Sequence, residues 1–365
     1  MADGMDRAGG LEGVVAAETV LSEVDGAAGR LVIRGRSLDD LAGTARFEDV
    51  ARLLFDGFFP DLPDDLTAAL GAARAEVFAN VAHLDVGLAR LGPVEAIRAL
   101  LARLPDGDDL ATALRLLAGP AVFTAAVVRA RQGEAPIAPD PALGHAADAL
   151  RMLRGSAAGS RAAAGLDAYL VTVSDHGLNA STFAARVIAS TQAGLNSAAL
   201  GGLSALKGPL HGGAPGPVLD MLDAIGTADR APAWIAAALD RGERLMGFGH
   251  RIYRVRDPRA DALKAALGRL TAGRPTGRIA LAEAVEAAAL AELKARKPGR
   301  VLETNVEFYT ALLLEALGFP PEAFTCVFAM GRTAGWIAHA REQAATGRLI
   351  RPQSLYVGPE PKLAA

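Results

Sequence analysis

Apolar residues in this chain recur at helical spacing along most of its length and almost never alternate with polar ones, which confines it to folds built from packed helices. Phe47, Val50, Ala51 and Leu54 fall at i, i+3, i+4 and i+7, with Gly57 available as a stop. Ile97, Leu100, Leu101 and Leu104 repeat the pattern between Pro93 and Pro105. The same signal predicts helices around 65–82, 109–131, 143–154, 181–206, 217–226, 259–270, 279–296, 306–317 and 332–346. Alanine, the strongest helix former, is abundant. One stretch, RLVIRG at 30–35, reads as a strand. The class is therefore mainly α.

With 365 residues, 51% of them hydrophobic and 22% charged, the chain can bury a sizeable core as two domains or one large one. A net charge of -3 gives no overall field to draw nucleic acid or a membrane surface, so any anion binding must be local. The single cysteine, Cys326, excludes an internal disulfide and a cysteine metal cluster and fits a small buried residue in a reducing compartment. The opening MADGMDRAGGLEG lacks the apolar run of a secretory signal, so a cytoplasmic location is expected. The longest uncharged run, Val187 to Leu206, carries several hydroxyl and amide side chains and reads as a buried helix rather than a membrane span. Pro and Gly cluster at 133–142, 208–217, 273–277 and 352–361; the first and third read as exposed loops, whereas the second has a histidine at its centre.

Chemistry concentrates in a few segments. MGFGHRIYRVRDPRAD, residues 246–261, sets His250 behind two glycines and follows it with Arg251, Arg254, Arg256 and Arg259. Glycine lets a ligand approach the main chain, and arginine presents a planar fork of donors suited to carboxylates and phosphates. His176 in SDHGLNAS and His211 in GPLHGG lie in similarly punctuated surroundings, while His83, His145 and His339 fall in helical patterns and read as structural or solvent-facing. Any one of the first three histidines fits a satisfied helix-end residue equally well; together they favour a site that polarises a carbonyl or exchanges a proton. Their separations of 35 and 39 residues match no local zinc spacing, and HExxH, GxSxG and P-loop patterns are absent. Glu307 in TNVEFYTALL begins an apolar run, where burial would raise its pKa toward that of a useful base, although a first-turn carboxylate favoured by the helix dipole is the plainer reading. Arg332 in GRTAGW and Arg351 in IRPQS are each equally compatible with a surface charge.

Taken in order, these segments resemble the citrate synthase family, together with GLEGVVAAETVLSEVDGAAGRLVIRG near the N-terminus and RLIRPQS near the end. The match runs over nearly the whole chain. What the resemblance implies is an all-α, two-domain homodimer, with a large dimerisation domain over 1–212 and 324–365 and a small domain over 213–323 closing on the acyl-CoA side of a cleft. It further implies a tricarboxylic acid cycle enzyme that condenses acetyl-CoA with oxaloacetate and hydrolyses citryl-CoA, with no permanently bound cofactor or metal. By motif match Glu307 would remove a methyl proton, His211 would stabilise the enolate, and His250 would polarise the ketone and protonate the alkoxide. His176, Arg259 and Arg332 would clamp the substrate carboxylates, with Arg351 reaching in from the partner subunit. Leu245, Met246, Gly247, Phe248 and Gly249, with Arg254, would contact coenzyme A.

Three departures bear on activity. The family's NVDFYSG reads NVEFYTA here, so the base is a glutamate with one more methylene. Gly177 follows His176, and GAPGP follows His211 where GANE is commoner. Two alternatives stand beside citrate synthase: a 2-methylcitrate synthase using propionyl-CoA, since one methylene discriminates by only about 1–3 kcal/mol, and a weakly active or inactive paralogue that binds acyl-CoA or a dicarboxylate as a sensor.

Overall fold

A computed structural model of the chain describes residues 10, 11, 13–212, 216–250, 252–272 and 277–359. A three-stranded antiparallel sheet, β1 (Ser22–Asp25), β2 (Arg30–Ile33) and β3 (Arg36–Ser37), opens the chain with Val24 opposite Leu31. Helices follow: α1 (Leu38–Leu41), α2 (Phe47–Phe55), α3 (Thr67–Phe78), α4 (Val86–Ala89), α5 (Pro93–Leu101), α6 (Leu110–Arg131), α7 (His145–Arg154), α8 (Ser160–Val173), α9 (Ala180–Ala189), α10 (Leu195–Leu206), α11 (Gly216–Ile225), α12 (Ala231–Asp240), α13 (Pro258–Leu270), α14 (Gly277–Arg296), α15 (Val306–Ala316) and α16 (Phe324–Thr346). The all-α expectation holds, and the 30–35 strand is the middle one of the hairpin sheet.

The core is organised around α6 and α16, two long helices buried on nearly every side. α6 is long and apolar enough to cross a bilayer by length and composition, yet it lies almost wholly inside the protein. α16 packs on α2, α6, α8, α9 and α10. Farther along the chain α12 packs on α14 and α11 on α15, while α13 joins α15 to α8.

The uncharged run 187–206 is not one helix. It breaks at Ser190–Gly194, where Gln192 has φ +62° and Gly194 φ +93°, and α9 and α10 fold back to pack on each other. Small residues allow the close contacts of α10: a Cβ at Gly201 would meet Ile188 of α9, and Gly202 seats on the ring of Trp336 of α16 with no space for a side chain. The helix expected at 332–346 starts at Phe324, and α8 and α12 were not foreseen. Most of the loop expected at 273–277, the segment 213–215 and the end of the 352–361 cluster lie outside the described residues.

Candidate active site

Several of the prospective site residues are held by features their local sequence explains. On α16, Gly331 and Gly335 are one turn apart, and a Cβ at either would overlap backbone at the C-terminal end of α8. That close seating lets Arg332 donate from Nε to the Val173 carbonyl at 2.6 Å, just before the α8–α9 loop. Within this loop Asp175 is buried, accepting from Ser22 Oγ at 2.5 Å and facing His339 Nε2 at 3.2 Å, while Gly177 N–H donates to Ser22 Oγ at 2.9 Å. His176 is thus held between two anchored neighbours. Asn179 caps α9 by accepting from the N–H groups of Ser181 and Thr182.

His250 is held by its own loop. Gly247 and Gly249 adopt φ +85° and +79°, and Nδ1 of His250 accepts from the backbone N–H groups of Ile252 at 3.0 Å and Tyr253 at 3.1 Å. Asp257 caps α13 and grips Arg259 through both carboxylate oxygens, at 3.0 and 2.8 Å, while accepting Val306 N–H at 3.2 Å. The Arg259 fork is therefore aimed by a buried ion pair. Tyr253 OH lies 3.1 Å from His176 Nε2, and the His176 and His250 rings are 6.1 Å apart. His211 places Nε2 2.8 Å from Ser181 Oγ, which also accepts from Trp336 Nε1 at 3.1 Å, and its ring lies 6.2 Å from Phe328.

These groups converge. His176, His211, His250, Arg259, Glu307 and Arg332 all line one cavity of about 300 Å³, with Asn179, Met246, Gly247 and Asn305 among its other walls. Glu307 is in the first turn of α15, as the plainer reading had it, and it also faces the cavity. Burial dominates and pushes its carboxyl up to about 7; Asp257 adds to this, while Arg259 and Arg332 oppose it. His211 and His250 are both held down to about 4, chiefly by burial and then by the neighbouring arginines. Near neutrality they are uncharged rings, each with one N–H to donate. Arg332 is drawn down to about 10 by burial and by Arg259, against Asp175, Tyr169 and Glu307.

A second cavity of about 410 Å³ shares Arg244, Gly249 and His250 with the first, and is lined by Leu245, Phe248, Lys297 and Arg300 among others. The Leu245–Gly249 stretch thus separates the two spaces. Arg254 has an exposed side chain and lines neither cavity; its backbone N–H donates to Gly26 at 2.8 Å. Arg351 is exposed in the segment without regular secondary structure after α16 and lies outside both cavities. Of the other histidines, His145 and His339 are buried within hydrogen-bonded clusters and His83 is exposed. Among the described residues no group of three or more His, Cys, Asp or Glu side chains could hold a metal ion.

Sequence reasoning assigned no role to Asp257, Tyr253, Arg244, Lys297, Arg300 or Asn305. Asp257 carried a usable signal, since Asp before Pro is a helix cap and this one sits two residues before Arg259.

The family model described as "Citrate synthase, C-terminal domain" matches residues 10–353. The citrate synthase of Haloferax volcanii is 39% identical, over 96% of this chain and 95% of that protein. A 2-methylcitrate synthase of Mycobacterium tuberculosis is 37% identical, over 97% and 91% respectively. A solved ternary complex of carboxymethyl coenzyme A and oxaloacetate with the citrate synthase of Thermoplasma acidophilum superposes with a TM-score of 0.84 at 27% identity, covering 98% of this chain and 97% of that one.

Proposed function

The chain belongs to the citrate synthase family, and on that premise we propose that its cavity of about 300 Å³ is where acetyl-CoA condenses with oxaloacetate before citryl-CoA is hydrolysed to citrate and CoA. The observation that carries this is the convergence there of two neutral histidines, a carboxyl poised near 7 and two buried arginines.

The chemistry requires each of them. A methyl group beside a thioester is a weak acid, so a base alone cannot remove its proton; a donor must meet the developing enolate oxygen. Glu307 takes the proton, and His211 donates to the enolate oxygen through the ring nitrogen that Ser181 leaves free. That tautomer needs Ser181 to give its one hydroxyl hydrogen to His211 Nε2 rather than to Asn179 Oδ1, each at 2.8 Å. The enolate carbon attacks the ketone carbon, the C=O electron pair moves onto oxygen, and His250 Nε2–H protonates the alkoxide. Water then displaces CoA from the citryl thioester. His176, Arg259 and Arg332 hold the dicarboxylate in line, which can remove about 7–11 kcal/mol of barrier.

The second cavity, with Arg244, Lys297 and Arg300 on its walls, suits a phosphate-bearing acyl carrier, which we place along the Leu245–Gly249 backbone with Arg254 at its margin. No cofactor is held permanently in this reading. We read residues 213–323 as the small domain, 1–212 and 324–365 as the large one, and the protein as a cytoplasmic homodimer in the tricarboxylic acid cycle. Leu355, Tyr356 and Val357 are 74%, 71% and 75% exposed, and a second copy covering them would draw Arg351 into its own site.

The test is thiol release from purified protein given oxaloacetate with acetyl-CoA or propionyl-CoA. Acetyl preference is expected. Propionyl preference would make it a 2-methylcitrate synthase, a reading favoured by the 37% identical relative of that name. Ligand binding without turnover would leave a sensor and overturn both.

A further inference from the structure

Glu307 and His250 are 57 residues apart in sequence, yet both emerge from one short pairing of extended backbone. Gly249 N–H donates to the Glu303 carbonyl at 2.8 Å, Asn305 N–H donates to the Gly247 carbonyl at 2.9 Å, and Phe248 and Thr304 form an antiparallel bridge. His250 follows one side of this pairing by one residue and Glu307 follows the other by two. So short a two-stranded pair is marginal by itself.

The Asn305 side chain closes it. Its Oδ1 accepts from Glu307 N–H at 3.0 Å, capping α15, and its Nδ2 donates to the Gly249 carbonyl at 2.8 Å. One amide therefore holds the peptide leading into His250 and the backbone of Glu307 itself. Asparagine alone among good caps can do both: aspartate accepts but has no donor, and serine has one short hydroxyl. Glu286 on α14 braces the flanks, accepting from Thr304 Oγ1 at 2.7 Å and Tyr309 OH at 2.5 Å.

We infer that Asn305 is a positioning residue that sets the separation of Glu307 and His250, so that proton removal and ketone polarisation occur in one geometry. It rests on the citrate synthase reading above. A displacement of about 1 Å in such an array costs on the order of a hundredfold in rate.

The test compares Asn305→Ser, which keeps a neutral cap and loses the second donor, with Asn305→Ala, which loses both. Thiol release with oxaloacetate and acetyl-CoA gives kcat and KM, thermal melting gives stability, and calorimetry gives oxaloacetate affinity. The serine variant is expected to keep the wild-type melting temperature and oxaloacetate affinity while kcat falls about tenfold to a hundredfold, as far as in alanine. Serine turnover within about twofold of wild type would mean that capping suffices, and a loss that tracks melting temperature or oxaloacetate affinity would mean a merely structural residue; either overturns the inference. If the serine variant does not fold, Asn305→Asp replaces it: a kcat loss at every pH supports positioning, and recovery at high pH assigns the loss to the added charge and overturns it. Wild-type protein that releases no thiol sinks the functional reading itself, whereas an active wild type with an unimpaired cap variant sinks only this inference.

Discussion

Nε2 of His250 faces Nη2 of Arg259 across 3.2 Å, and neither atom has a lone pair to offer the other. Two backbone N–H groups occupy the lone pair of His250 Nδ1, so the neutral ring carries its hydrogen on Nε2; a guanidinium never accepts. Two converging donors select an oxygen that can accept from both. Arg259→Lys keeps the charge but cannot hold both Asp257 oxygens and still reach that bridging oxygen. The KM for oxaloacetate should rise at least about tenfold, or 1.4 kcal/mol; an unchanged KM would remove Arg259 from the clamp.

As the proposed base Glu307 would have to be ionised, and its carboxyl lies near 7, so kcat/KM should rise with pH along a limb centred there. Glu307→Gln should abolish turnover while oxaloacetate still binds. The same shift has a stability consequence of definite sign. The folded pKa lies above the ordinary value of 4.5, so the unfolded chain holds fewer protons between them and stability falls as pH rises through that window. Removing the charge should therefore stabilise the protein at pH 8 by roughly 3 kcal/mol, a gain that shrinks toward pH 4.5. Denaturant unfolding at both pH values checks this, and a gain independent of pH would contradict it.

Ser181 joins His211 to Trp336, whose indole N–H donates to its hydroxyl. Ser181→Ala leaves that buried N–H unpaired, a loss of about 1–3 kcal/mol in stability. It also releases the His211 tautomer, so kcat should fall well beyond what the stability loss explains. Kinetics on the folded variant separate the two effects, and full kcat would exclude a tautomer-setting role.

Arg351 offers a test of subunit sharing. Arg351→Ala and Glu307→Gln should each be poorly active, yet a mixed dimer of the two contains one intact site if Arg351 acts across the interface. Random re-association should then restore about a quarter of wild-type activity. No recovery, with mixed dimers present by mass, would place Arg351 elsewhere.

Helices with one polar face were legible because burial on the other face leaves a period of 3.6. α8 and the first turns of α16 were not, since YLVTV and FTCVFAM each hold a single threonine among apolar residues and the start of α8 is rich in alanine, so neither shows much contrast. α12 escaped because alanine packs inside or outside alike. The break at Ser190–Gly194 carries one glycine and no proline, too weak a mark to separate two helices from one. Within the site the three histidines stood out together through their odd surroundings and Glu307 chiefly through its motif, and the cavity gathers all of them. Ser181 and Asn305 did not stand out, because each looks locally like an ordinary helix-start residue; only the side chain folded against it gives it a second task.

Arg259 and Arg332 sit buried in the same wall, and of the two only Arg259 has an ion pair among the described residues. Such a protein carries a standing electrostatic load that the proposed dicarboxylate substrate would lift. Ligand at a hundred times its Kd adds about 2.7 kcal/mol to the folded state. A ligand that fills this wall with negative charge would thus hold the fold together as well as react in it, and the empty protein should be the less stable form.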